Sequence, residues 1–87
     1  MTYDVIISPT FEKDAKAILK KDPALSTRIH KTVISILENP ECGKPLRNVL
    51  KGYRRVHVGH FVLIYEIDDT NNTLTLLKFT HHDKAYK

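Results

Sequence analysis

The chain begins with a short apolar run, Val5, Ile6 and Ile7, whose β-branched side chains suit a strand. Its lack of clean alternation predicts burial on both faces. The period then changes. Phe11, Ala15, Ile18 and Leu19 fall at i, i+4, i+7 and i+8, which is one apolar stripe of a helix. Ser8 ahead of Pro9 offers a side-chain cap and then a residue whose missing N–H costs nothing in a first turn. Lys20 and Lys21 sit where the negative end of that helix dipole would be. Asp22 and Pro23 repeat the start signal, and Leu25, Ile29, Val33, Ile36 and Leu37 form a second stripe that Asn39-Pro40 brings to a stop. Two amphipathic helices on so short a connection predict a helical hairpin.

Beyond Pro45 the period falls to two. From Tyr53 to Val58, Val56 and Val58 take one face, and Tyr53, Arg55 and His57 take the other. Gly59-His60 fits a two-residue hairpin turn of the type that needs glycine first. Phe61 to Ile67 (FVLIYEI) is almost continuously apolar and reads as a central strand. A polar loop, DDTNN from Asp68 to Asn72, leads to renewed alternation from Thr73 to Thr80. The order β-α-α-β-β-β predicts an α+β domain with the helical hairpin on one face of a small antiparallel sheet. The other face stays open and carries Arg55 and His57. With no repeat and no linker, residues 1–87 read as a single domain.

Composition narrows the possibilities. Eighty-seven residues hold one modest core, and 41% apolar with 28% charged residues suits a folded chain. The lone Cys42 can make no internal disulfide. The N-terminus lacks the basic segment and the apolar length of a signal peptide, and no stretch approaches the roughly 20 apolar residues of a membrane span. A cytoplasmic location is expected. The net charge of +4 is modest, but its distribution is not even. Between Cys42 and Tyr65 there is no acidic residue, whereas Lys44, Arg47, Lys51, Arg54 and Arg55 all fall there. Positive charge confined to one segment suggests a polyanion-binding surface, although a solvated basic loop beside a strand would look the same.

Cleavage of RNA needs a base for the ribose 2′-hydroxyl, cations for the phosphorane and an acid for the departing 5′-oxygen. Histidines and basic residues suffice for all three, and His57, His60, His81 and His82 all lie in the second half. Arg54 and Arg55 can each fork onto phosphate oxygens. His30, in the second helix, reads as a polar-face residue, and Tyr53 and Tyr65 as packing residues. His81 and His82 could equally be a solvated terminus. A zinc site usually wants cysteine or carboxylate help at helical or CxxC spacing, which the sequence does not display, so neither metal nor cofactor is expected.

The stretch LKGYRRVHVGHFVLIYEI, residues 50–67, resembles the RelE/ParE toxin superfamily, and within it the YafQ-like members with their KGYR, HV and LIY elements. The closing KFTHHDKAYK resembles that family's last strand and tail, and YDVIISPTFEKDAKAILKK is compatible with its opening strand and helix, so the likeness spans the chain. By position, the resemblance makes His82 the general acid, His57 the histidine of the HV pair, Lys78 a transition-state cation and Tyr86 the terminal aromatic. Arg55 matches a lysine of RelE itself. Lys44 falls where YafQ-like toxins carry a histidine before the Pro-Leu step. His60 and Phe61 fall where they carry Asp-Trp, and Val62 stands where many members have arginine. Lys44, His57 and His60 all remain candidates for the base.

The resemblance implies a toxin that cuts mRNA in the ribosomal A site without a metal, gripping the message through Lys44, Arg47, Lys51, Arg54 and His60. It also implies a RelB-like protein antitoxin that covers this face; an acidic, partly disordered partner would suit the basic segment. The rival within the superfamily is a ParE-like gyrase inhibitor without nuclease activity. A nucleic-acid-binding module without turnover, or an antitoxin-binding relic, is the remaining alternative.

Overall fold

The computed structural model describes residues 3–45 and 53–83. Its elements are β1 (Asp4–Ile7), α1 (Pro9–Lys21), α2 (Leu25–Glu38), β2 (Lys44–Pro45), β3 (Tyr53–Val58), β4 (Phe61–Asp68) and β5 (Thr73–His81). The five strands form one sheet in the order β1-β5-β4-β3-β2. The helical hairpin packs on one side of it, α1 over β5 and α2 over β3. This is the expected α+β architecture with two additions. The sheet is mixed, because β1 runs parallel to β5, and a two-residue strand, β2, extends it beyond β3.

Local chemistry explains most boundaries. The Ser8 hydroxyl accepts from the Phe11 N–H (3.1 Å), with Pro9 as the first helical residue, and Lys20 and Lys21 occupy the last turn of α1. The second cap works differently from the expectation. Ala24, not Asp22, precedes α2 and makes no side-chain cap. Asp22 instead closes α1 through its own N–H to the Ile18 carbonyl (3.0 Å), and its backbone carbonyl receives Leu25 N–H (3.1 Å). The connection is so tight that backbone bonds alone satisfy both helix ends.

β4 is the central strand, with Val62, Leu63, Ile64 and Tyr65 all buried. The hairpin joining it to β3 has Gly59 at φ +63° while His60 stays at negative φ, as a turn with glycine at its first central position requires. β1 departs from its prediction. It is an edge strand, and Val5, Ile6 and Ile7 are 39, 46 and 56% exposed. The helices lie over β5 and β3, so β1 falls outside the covered zone; a bare apolar run cannot distinguish a central strand from such an edge.

The core on the helix side comprises Phe11, Leu25, Ile36, Val58, Leu63, Tyr65, Leu74, Leu76 and Phe79. A second, small cluster, Val62 and Ile64 with Tyr53 and Leu77 against them, lies on the opposite face. Between the two, β5 contains a bulge: Ile64 pairs with Lys78 but Tyr65 with Leu76, leaving Leu77 as the extra residue. The Phe79 N–H, beyond the end of β1, is taken up by the Asp14 carboxylate of α1 (3.3 Å).

Candidate active site on the open face

Strand register assembles the open face row by row. Lys44 pairs with Arg55, Arg55 with Ile64, and Ile64 with Lys78, so one row crosses four strands with cations at both ends and in between. Strands lie about 4.8 Å apart, which puts the ends of this row roughly 14 Å from each other at the backbone. The next row toward the hairpin is His57, Val62 and Thr80; the next row away from it holds Tyr53, Glu66 and Thr75. Buried Val62 and Ile64 give the rows an apolar floor. Near such a floor water is scarcer, and a cation acts more strongly on an anion than it would in bulk solvent. Among the described residues no acidic side chain pairs with Lys44 or Lys78.

Arg55 and His57 touch, Nη1 to Nε2 at 3.0 Å. A guanidinium is always a donor, so this contact makes Nε2 the acceptor and puts the ring proton on Nδ1. The accepting lone pair of Nε2 thus lies on the open face, against Arg55. His60, in the turn, accepts at its carbonyl from the His82 N–H (3.1 Å), and the His82 Nδ1 lies 3.4 Å from the same oxygen. The exit of β5 is thus fastened to the β3–β4 turn. His82 stands at the hairpin margin of the face, half-exposed, with Nε2 2.9 Å from the Asp83 carboxylate. His81 takes the other side, its ring edge-on to Phe61.

Arg54 requires a correction. Alternation turns it to the helix side, where its guanidinium donates to the carbonyls of Gly43 (2.8 Å) and Glu41 (3.4 Å). There it lines a cavity of about 360 Å³ with Tyr3, Glu41 and Asp69, away from Lys44, Arg55 and Lys78, with which it was expected to bind phosphate. The adjacent segment is held by Tyr65, whose hydroxyl donates to the Pro40 carbonyl (2.8 Å) and accepts from Gly43 N–H (3.0 Å). Burial pushes the Tyr65 phenol up to about 12, so it stays a donor. Gly43 has no room for a side chain: a Cβ there would sit 2.5 Å from the Tyr65 hydroxyl and 2.8 Å from the Arg55 carbonyl. This clamp fixes Lys44 beside Arg55, and sequence reading missed it because β2 is too short to leave a pattern. Arg47, Lys51 and Tyr86 lie outside the described residues. Asp83, also overlooked, is the carboxylate that sequence spacing did not reveal beside His81 and His82.

A small sheet with a helical hairpin on one side and a cation–histidine face on the other defines a compact toxin-like α+β domain. The profile of the ParE toxins of type II toxin–antitoxin systems (parDE) matches residues 5–86, and the chain belongs to that family, within the RelE/ParE superfamily. It is 35% identical to the putative toxin RelE4 of Methanocaldococcus jannaschii over 86 residues, covering 98% of this chain and 92% of that protein. The solved RelBE2 toxin–antitoxin complex of Mycobacterium tuberculosis contains a chain 31% identical to it, with a TM-score of 0.69 over 94% of this chain and 100% of that one. YafQ from Escherichia coli superposes with a TM-score of 0.73 at 25% identity, covering 98% and 99% of the two chains. The protein is a type II toxin–antitoxin toxin.

Proposed function

We propose that this toxin is an mRNA endoribonuclease that works in the ribosomal A site and is silenced by a RelB-like antitoxin in the cytoplasm. The observation that carries the reading is the row Lys44, Arg55 and Lys78 with His57 in the row beside it, its Nε2 against Arg55. His57 Nε2 takes the 2′-hydroxyl proton when substrate displaces the Arg55 contact. Arg55 and Lys78 then stabilise the phosphorane, whose charge develops over an apolar floor. His82 protonates the departing 5′-oxygen, and the products are a 2′,3′-cyclic phosphate and a 5′-hydroxyl. Lys44 grips a flanking phosphate, together with Arg47, Lys51 and His60, and Tyr86 helps to position the base or phosphate. The names of the M. jannaschii and M. tuberculosis relatives support the RelE-type reading. The M. tuberculosis RelBE2 structure, in which a similar chain is solved in a toxin–antitoxin complex, supports a protein partner. No helix among the described residues is long and apolar enough to cross a membrane.

Inducing the toxin alone and mapping mRNA 5′ ends tests this directly. Cuts phased with codons are expected, and intact messages would overturn the reading. A gyrase-inhibiting activity is the second reading, favoured by the parDE description of the family and by buried Val62 where many superfamily nucleases carry arginine. Intact messages together with loss of DNA supercoiling would establish it instead.

A further inference from the structure

Consecutive residues of a strand face opposite ways, yet His81 and His82 come together because β5 ends between them and the chain turns. Their rings are 4.8 Å apart between centroids. The Asp83 carboxylate closes the group, Oδ1 at 2.9 Å from His82 Nε2 and Oδ2 at 3.4 Å from His81 Nδ1. One ligand atom from each of the three lies within 4.8 Å of the other two. Ligands on a zinc ion, at bonds of about 2.0–2.1 Å, stand roughly 3.3 Å from each other in a tetrahedral site. The two nitrogen–carboxylate distances already match that spacing, and the group as a whole, spread over as much as 4.8 Å, would have to draw in around an ion.

The surroundings of His82 point the same way. Its Nδ1 faces the His60 carbonyl at 3.4 Å while its Nε2 faces a carboxylate, so both ring nitrogens meet acceptors. A second proton satisfies that arrangement, and so does a metal ion on Nε2 with the proton kept on Nδ1. A backbone carbonyl behind one nitrogen is the usual support for a ligating imidazole. The weak bond from Asp83 N–H to His81 Nδ1 (3.3 Å) is the contact an ion would displace. Two imidazoles and one carboxylate suit zinc or copper, whereas calcium and magnesium want several oxygens.

We infer that His81, His82 and Asp83 form a surface site for an imidazole-preferring divalent ion, zinc being the reference case, and that filling it switches the toxin off. The second half rests on the nuclease reading, since an ion on His82 Nε2 removes the atom that delivers the proton. The metal is here an inhibitor and takes no part in the cleavage.

Calorimetric titration of the purified chain with zinc chloride tests the site. One ion per chain should bind, magnesium should not, and His81→Ala and Asp83→Ala should each weaken zinc by about tenfold or more while keeping the wild-type circular dichroism spectrum. No saturable binding, or equal binding by both variants, overturns the site. Cleavage assays with zinc, then with excess EDTA, test the switch: zinc should stop the wild type, EDTA should restore it, and Asp83→Ala should cut in both. Undiminished wild-type cleavage at saturating zinc overturns the switch. The titration stands apart from catalysis, so a chain that binds zinc but never cuts RNA upholds the site and sinks the nuclease.

Discussion

The two faces of the sheet divide the labour of this toxin. On the helix side, Phe79, Leu63, Tyr65 and Leu74 are completely buried, and Phe79 stacks on Phe61 with Phe11 tilted against it. On the other side, only Val62 and Ile64 are buried among the described residues, and around them are Arg55, His57, Lys78 and Thr80. The first face holds the chain together and the second presents chemistry. Side chains of the open face can therefore change at little cost to stability, while helix-side changes should act only through folding.

The sharpest test of that division is His82→Ala. It should lower cleavage by about 10²–10⁴-fold, the usual worth of a general acid, with an unchanged melting temperature. A variant that keeps its activity would remove His82 from the mechanism. Phe79→Ala is the converse, and should cost about 3–5 kcal/mol of stability in chemical denaturation. If it unfolds no more easily than the wild type, the helix side is not the core. Tyr65→Phe removes two hydrogen bonds and orphans the buried Gly43 N–H, for an expected loss of about 1–3 kcal/mol.

Tyr65 also sets an alkaline limit. Its folded pKa, about 12, lies above the 10.0 of an ordinary tyrosine, so the neutral phenol's contribution is complete below pH 10 and is lost as pH rises toward 12. Denaturation at rising pH should show that loss in the wild type and a smaller one in Tyr65→Phe. The smallest effect belongs to Gly59→Ala. Its φ of +63° disfavours any Cβ, and the Arg28 guanidinium 3.1 Å away adds crowding, so about 1 kcal/mol should be lost with the Lys44–Arg55–Lys78 row intact. A large loss of cleavage from that change would tie the turn to the chemistry and blur the two-face division.

Elements with a long period were legible in the sequence. Both helices, the β3–β4 hairpin and its glycine turn follow from spacing and turn chemistry, and Arg55 and His57 emerge on the open face from alternation alone. What the sequence hid depends on contacts between distant residues. The exposure of β1 depends on where the helices lie, and β2 exists because Tyr65 clamps Gly43 from 22 positions away. Arg54 and Arg55 are chemically alike, yet neighbouring positions on a strand send one to backbone carbonyls and the other to the open face. The carboxylate beside the paired histidines escaped notice because its convergence comes from a strand ending, which carries no spacing rule.

Leu77, the unpaired residue of β5, has a consequence out of proportion to its size. Leu74 and Leu76 reach the helices at even positions and Phe79 does so at an odd one, which the interposed leucine makes possible. Remove it, and everything downstream changes sides: Phe79 turns toward water and Lys78 toward the greasy interior. The address of that lysine is therefore set by counting along the backbone. A relative with one residue fewer at this point would need a different numbering of its sides before any of its charges could be matched to these.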